Sequence, residues 1–467
     1  MKKIQRWFLL SALCFLTVLF WGGASEAAVS EAAEKGGNED ITVVADMNLL
    51  FEADGSCSMN EFAVQNHSLV PITITGVEVA AYQDWELVSE TSKIPVDTKK
   101  LAFALNGQQL YVGENAVSLT VPEQDSGTWD VKIMRGAWSK DMPLEQALRF
   151  NLIWEYGTKE FELQFNGNGS SETLTSISVN NGETITLPTP SRAGYEFAGW
   201  KDKDGNLFQG TYTMPIGDTT LTAYWKEIIA YAIYSADDKS LRFVQSADVI
   251  KAGGTYGGRK VTSVYTGFDK KEYAKAEDVP WYADGTNLKV TKVYVQDEIK
   301  PISMQLWFYH FDKCSYFDVT KVNASNVTSL SEAFRYAGYD VTGSFKIVGF
   351  NSWNVSKVTD FSYMFDAAAI FATSFNIGNL GGWNVSKATT LTRMFSSSGM
   401  RASTYSIGDL SKWNTANVVY MGVTFKSAGE QANWSLNCSK WNVKKVKVHA
   451  DFNLNVEDKV VAPKWVS

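Results

Sequence analysis

The chain has 467 residues, a formal net charge of −8 and 13% aromatic residues, with 16 tryptophans. That length leaves room for about three or four domains, and cores rich in rings are easily built. The acidic balance argues against nucleic acid or an anionic membrane surface as the main partner, and no basic strip with interleaved aromatics is present.

The N-terminus reads as a secretory signal. Lys2, Lys3 and Arg6 form a positive region, residues 7–21 an apolar one, and Gly22, Gly23 and Ala24 come next. Ser25 and Ala27 put small residues at the two positions read by signal peptidase, so cleavage is expected after Ala27. The apolar run is shorter than the roughly 20 residues of a spanning helix, which disfavours an uncleaved anchor. Leu13 stands before Cys14 where lipidation would need a small residue. Residues 28–40, with EAAEKGGNED, read as a flexible leader.

Residues 41–158 alternate β-rich runs with turn residues, as in FAVQNHSLVPITITGVEVAAY, KKLAFALNG, GTWDVKIMRGAW and LRFNLIWEYG. This spacing predicts an antiparallel β-sandwich, with one or two helical turns over MPLEQALRF (142–150). Residues 159–227 contain strand patterns in FELQFN, ETITLP, GYEFAGW and TLTAYW, separated by turns at 167–169, Asn181-Gly182 and Asp204-Gly205. Asp202, Asp204 and Asn206 have the look of a calcium loop, but no Glu stands at its twelfth position, so a hairpin turn is expected there. Residues 228–316 read as the lead-in and N-terminal cap of a repeat region that starts at residue 317. The glycines at 253, 254, 257 and 258 form a turn and not a phosphate loop, since no G-x-x-x-x-G-K-[ST] is present.

From residue 317 onward one phrase returns. It is WNVSKVTDFSYMF from Trp353, WNVSKATTLTRMF from Trp383, WNTANVVYMGVTF from Trp413 and a degraded WNVKKVKVHADFN from Trp441, with VNASNVTSLSEAF from Val322 as a variant. A step of about thirty residues predicts a solenoid whose units bury their apolar faces against one another. Phe361, Met364 and Phe365 make an i, i+3, i+4 stripe that predicts a short helix. FKIVGF (345–350), FNIGNL (375–380) and YSIGDL (405–410) alternate as short strands do. Trp353, Trp383, Trp413 and Trp441, with Phe365, Phe395 and Phe425, are expected to stack as a core spine. The competing reading of the Trp column is a row of carbohydrate-stacking rings. His449 and Asn453, polar where other units carry apolar residues, suit a terminal cap.

The W-N-V-S-K-V-T-D-x-S-x-M-F phrase resembles the repeat of BspA-like leucine-rich repeat surface proteins of bacteria. AYAIYSADDKSLRF from Ala230, DVPWY ending at Tyr282, and DEIKPISMQLWFYHFDKC ending at Cys314 resemble the lead-in of such proteins. Residues 160–226, with Gly-Tyr-x-Phe-x-Gly-Trp at 194–200, resemble the B-repeat of internalin-type surface proteins. The first resemblance implies a secreted or surface-attached protein, often an adhesin, and the second a small β-grasp-like stalk or binding module. The expected fold is therefore multi-domain and mainly β, with sandwich, β-grasp-like module and leucine-rich-repeat-like solenoid of short strands and helices.

No catalytic site, cofactor or metal is expected. His67, His310 and His449 lie in different segments, and no G-x-S-x-G, H-E-x-x-H or C-x-x-C pattern occurs. After the expected cleavage Cys57, Cys314 and Cys438 remain, odd in number and widely spaced, so idle or buried thiols are expected, with one bridged pair as the alternative. The chain ends APKWVS with no Leu-Pro-x-Thr-Gly anchor, so the expectation is attachment by another mechanism or release of the protein. The expected partner is a host or bacterial surface protein or glycan, contacted by outward strand positions Lys346, Asn376 and Ser406. Alternatives are a carbohydrate-active enzyme within 41–156, its repeats serving as targeting modules, and a structural cell-envelope protein.

Overall fold

The computed structural model describes residues 19–20, 41–46, 56–81, 84–89, 94–95, 98–135, 145–146 and 148–465. The expected signal segment and leader lie outside the described residues except for Leu19–Phe20, which pair with Glu145–Gln146 as a two-residue strand. The chain forms two units, one of residues 1–190 and 198–224, the other of 191–197 and 225–467.

The first unit is all β. One sheet runs in the order Ile41–Asp46, Ser56–Asn66, Ser126–Arg135, Lys100–Leu105, Glu86–Leu87, with Gln108–Leu110 also paired to Lys100–Leu105. The Glu86–Leu87 pairing is parallel, unlike the antiparallel rest. A second sheet places Ile72–Ala81 between Leu148–Tyr156 and Gly113–Val121. The expected helical turns over 142–150 do not form in the part described: Glu145–Gln146 and Leu148–Tyr156 are strands. Long-range pairing of Leu148–Tyr156 with Ile72–Ala81 overrides a weak local helix preference.

The central strand shows how its sequence sets its faces. Ile72 and Ile74 point inward, then the register shifts, and Val77 and Val79 point inward instead. A bulge changes which parity is buried, and the pattern I-x-I-x-x-V-x-V carries that shift. Asn66 is buried beside this strand with all its hydrogen-bonding capacity used. Its Nδ2 donates to the carbonyls of Val70, Val121 and Pro122, and its Oδ1 accepts from the Ser68 amide and hydroxyl.

Further along this unit, Glu160–Asn166 pairs antiparallel with Ile177–Asn180, and its residues 163–166 pair in parallel with 219–222. Asp202 closes the Asp204-Gly205 turn by accepting from the Asp204 and Asn206 amides and from Asn206 Nδ2, so its oxygens serve the turn. The Trp200 ring is fully buried, and its indole donates to the Pro188 carbonyl.

The second unit is organised by an eight-stranded sheet. Ser263–Thr266, Ile229–Ser235 and Ser240–Ser246 are antiparallel neighbours. Ser240–Ser246 then starts a parallel ladder through Lys292–Val295, Tyr316–Asp318, Ser344–Val348, Ser374–Asn376 and Thr404–Ser406. The segment expected as a lead-in and cap thus shares one sheet with the repeats. A second parallel ladder of single bridges joins Ser329, Asp360, Thr390, Tyr420 and Val448. Each repeat therefore lies in parallel register on the one before.

The expected helices of the repeats are absent; among the described residues the one α-helix is Pro280–Ala283. The segments after each bridge are runs of turns. Within residues 361–367, alternate amides bond inside the repeat (Met364 to Phe361, Asp366 to Tyr363) and across to the next (Tyr363 to Thr392, Phe365 to Met394, Ala367 to Ser396). Tyr363 and Ala367 have φ of 55° and 56°, and Arg393 and Ser397 both have 55°. A right-handed helix excludes those angles. Phe361, Met364 and Phe365 are nevertheless buried, because the turn ribbon turns the same residues inward as a helix would.

One continuous core runs from Ala230 to Val460. At its start Phe243 stacks on Trp307 at 5.6 Å and meets Trp281 edge-on at 5.5 Å. Along the repeats Phe334, Phe365, Phe395 and Phe425 form a column with centroid steps of 5.5, 5.6 and 5.3 Å. Phe345, Phe375 and Tyr405 form another, with steps of 5.5 and 5.0 Å. Burying each such ring contributes about 1.5–3 kcal/mol relative to leaving it exposed. At the far end Val460 is buried, His449 stacks on Trp465 at 4.2 Å, and Asn453 Nδ2 donates to the Val460 carbonyl. The polar residues of the last repeat thus meet the C-terminal segment of the chain.

Candidate functional site

The tryptophan column is interior. Trp353, Trp383, Trp413 and Trp441 are 4–5% exposed, and Phe365, Phe395 and Phe425 are fully buried. Trp353 and Trp383 stack at 6.3 Å, and Trp413 and Trp441 at 6.0 Å. Each indole N–H donates backward across the repeat boundary, to the carbonyls of Val319, Phe350, Leu380 and Leu410 in turn. Those rings have no face left for a sugar.

The strand face is open to solvent. Phe345 and Ile347 of Ser344–Val348 point inward, and Ser344 and Lys346 point out. Asn376 and Ser406 are exposed likewise. Lys346 pairs with Asn376, and Asn376 with Ser406, so the three form one lateral row. Ser344, Ser374 and Thr404 form a second row two residues away, with a Ser374–Ser344 hydroxyl bond of 2.8 Å. These two rows are polar and carry one ammonium, that of Lys346.

The turn ribbons carry a different surface, which the sequence reading did not single out. Half-buried rings run in contact across repeats: Tyr282 to Tyr309 at 5.6 Å, Tyr309 to Tyr336 at 6.0 Å, Tyr336 to Tyr339 at 5.9 Å and Tyr339 to Phe371 at 5.4 Å. His310 stacks on Tyr336 at 4.4 Å, and its Nδ1 lies 3.0 Å from Asp312. Arg335 lies over Tyr336 and Tyr363 at 5.0 and 4.8 Å, Arg393 over Tyr363 at 5.7 Å, and Arg401 over Phe371 at 4.7 Å.

The charges of this strip are unequally committed. Arg335 donates to Glu332 at 2.9 Å and to Asp366 at 3.1 Å. Asp366 is 5% exposed; burial pushes its carboxyl above the usual range, while the Ser396 hydroxyl and the Arg335 and Arg393 guanidiniums pull against that. Arg393 is 42% exposed and lies 3.8 Å from Asp366, beyond hydrogen-bond distance. Arg401 is exposed, and among the described residues no carboxylate lies within 4.0 Å of it. The missed signal was the outward positions of the ribbon, which a helical reading sends to other faces.

Elsewhere in this unit a shallow cavity of about 260 Å³ is lined by Arg242, Tyr256, Gly257, Arg259, Gln296 and Asp297. Both guanidiniums are spent on Asp238, at 2.7 and 2.8 Å. Among the described residues no group of three or more His, Cys, Asp or Glu is arranged to hold a metal ion. His449 stacks on Trp465 and not within the strip that holds His310. Cys314 and Cys438 are free and buried, while the Cys57 side chain lies outside the described residues.

Residues 302–400 and 370–455 match the family described as Mycoplasma protein of unknown function, DUF285. Residues 161–224 match the Listeria-Bacteroides repeat domain. The chain is thus similar to bacterial surface repeat proteins over these segments. No curated protein and no solved structure matches it. No helix among the described residues is long and apolar enough to cross a membrane.

Proposed function

We propose that the chain is a secreted or cell-surface bacterial binding protein without a catalytic site, which contacts a surface protein or glycan through its repeats. In this reading residues 317–467 are a BspA-like solenoid, 228–316 begin the same stack, 159–227 are an internalin-type module, and 41–158 are a sandwich. The matched families favour an extracellular setting. The carrying observation is the parallel register that sets Lys346, Asn376 and Ser406 side by side on an exposed face. A stack of near-identical units offers repeated outward positions at fixed spacing, which suits recognition of an extended partner.

The test is binding of the purified chain to matrix proteins, glycans and whole bacterial or host cells. Saturable binding that falls when Lys346, Asn376 and Ser406 are all replaced by Glu, with the melting temperature unchanged, supports the reading. Binding to nothing on the panel sinks it and favours an envelope-structural role.

A further inference from the structure

The strip of tyrosines and arginines on the turn ribbons is left partly open to solvent. Tyr282, Tyr309, Tyr336, Tyr339 and Tyr363 are each half-buried, so part of every ring is held by the protein and part meets water. Rings fixed in this way lose little freedom when a partner covers them, and Tyr and Arg are the side chains that carry most binding energy where proteins meet. Their mutual angles are 43°, 70° and 68° from Tyr282 through Tyr309 and Tyr336 to Tyr339, and 89° on to Phe371. Such a surface is corrugated. A pyranose chain stacks on coplanar faces, whereas the side chains of a peptide fit between tilted rings.

Charge selects among peptides. Arg335 is neutralised inside the strip by Glu332 and Asp366. Arg393 has only a long contact to a carboxylate that Arg335 already holds, and Arg401 has none among the described residues. Each guanidinium lies over a ring, Tyr363 or Phe371, with donors left over for a planar acceptor. A carboxylate takes two such donors at once. The strip spans four successive repeats, from Tyr309 through Tyr336 and Tyr363 to Arg393. At about 4.8 Å per parallel neighbour that is about 14 Å, the reach of four or five extended residues.

We propose that this strip is a docking face for an extended acidic protein segment that carries aromatic side chains, with Arg393 and Arg401 binding its carboxylates and Tyr336, Tyr339 and Phe371 packing its rings. The proposal rests on the reading of the chain as a binding protein but uses a different face from Lys346, Asn376 and Ser406.

The experiment measures binding of the full chain to an immobilised glutamate–tyrosine copolymer, with a lysine–tyrosine copolymer as control, over a range of salt. Expected is saturable, salt-sensitive binding to the first and none to the second. Replacing Arg393 and Arg401 together by Glu weakens it by about tenfold or more, whereas the triple Glu variant at Lys346, Asn376 and Ser406 binds as the parent does. Arg393→Glu faces the buried Asp366 carboxylate, so circular dichroism checks that the double variant folds, and Arg401→Glu alone, at an exposed site, should weaken binding with an unchanged melt. No binding to the acidic copolymer, or equal binding by the double variant, overturns the proposal. If the parent ignores the copolymer yet binds cells through the Lys346 row, the docking face falls while the binding-protein reading stands.

Discussion

The indole N–H of Trp383 donates to the carbonyl of Phe350, 2.8 Å away and 33 residues earlier in the chain. The same bond recurs from Trp353, Trp413 and Trp441. Each of these carbonyls also accepts the backbone amide three residues on, so the indole takes its second lone pair and ties one repeat to the next. Tryptophan fills the slot because it is both the largest apolar ring and a donor; phenylalanine would do only half of that work.

Trp383→Phe therefore removes volume and one of the two hydrogen bonds that the Phe350 carbonyl accepts, the Trp353 amide supplying the other. The two effects together should destabilise the chain by about 1–3 kcal/mol. A fall in the urea midpoint checks this. An unchanged midpoint would mean that the core closes around the smaller ring and that the Trp353 amide alone satisfies the carbonyl.

Gly399 tests the turn ribbon. Its φ is 49°, and a Cβ built there would lie 2.6 Å from Phe375 Cβ. Gly399→Ala combines a left-handed angle with a backbone-proximal clash and should cost about 1–3 kcal/mol. The comparison is Gly382→Ala, where a Cβ meets open space and φ is not in the left-handed range, so its melting curve should stay close to the parent's.

Asp238 gives a pH-dependent prediction. Burial pushes its carboxyl up, but the Ser240 hydroxyl and the Arg242 and Arg259 guanidiniums outweigh this and hold it at about 2. An Asp whose folded value is depressed stabilises the fold above its unfolded value, about 3.9, and loses that contribution as pH falls toward the folded one. Asp238→Asn should thus lower stability at neutral pH, and its deficit against the parent should shrink between about pH 4 and pH 2. Solvent screening keeps the effect modest, since the side chain is 35% exposed. A deficit constant across that window in chemical denaturation would contradict the ion-pair assignment.

Much of the repeat architecture is written in single residues. Phe345 and Ile347, or Phe375 and Ile377, alternate as short strands do and are buried as alternation requires. The invariant spacing of Trp353, Trp383 and Trp413 points to a stacked interior column. The ribbon was illegible because Phe361, Met364 and Phe365 make the same stripe in a run of turns as in a helix. The difference lies in Tyr363 and Arg393, ordinary side chains at positive φ, and the force holding them there is hydrogen bonding to the next repeat. The early start of the ladder was hidden for a related reason. Met304, Leu306 and Phe308 bond across to Ser329, Ser331 and Ala333 as later repeats do, without the Trp phrase to announce it. The tyrosine and arginine strip joins residues tens of positions apart, so only the stacking register brings Arg335 to Asp366 and Tyr339 to Phe371.

The cysteines offer a last check on the packing. Cys314 lies fully buried beside the Tyr316–Asp318 strand, and its thiol bonds to the Tyr316 carbonyl at 3.4 Å. Cys438 is fully buried near the last Trp of the column. Burial pushes both thiols far above the usual range, because a thiolate there would be stripped of water. Reaction needs both the thiolate and access, and the fold denies each. Iodoacetamide at pH 8 should leave Cys314 and Cys438 unmodified in the native chain and alkylate both in denaturant, as read by peptide mass spectrometry. Rapid native labelling of Cys438 with Cys314 still protected would show that the last repeat opens on its own. Labelling of both at one slow rate would show that the stack unfolds as a single unit.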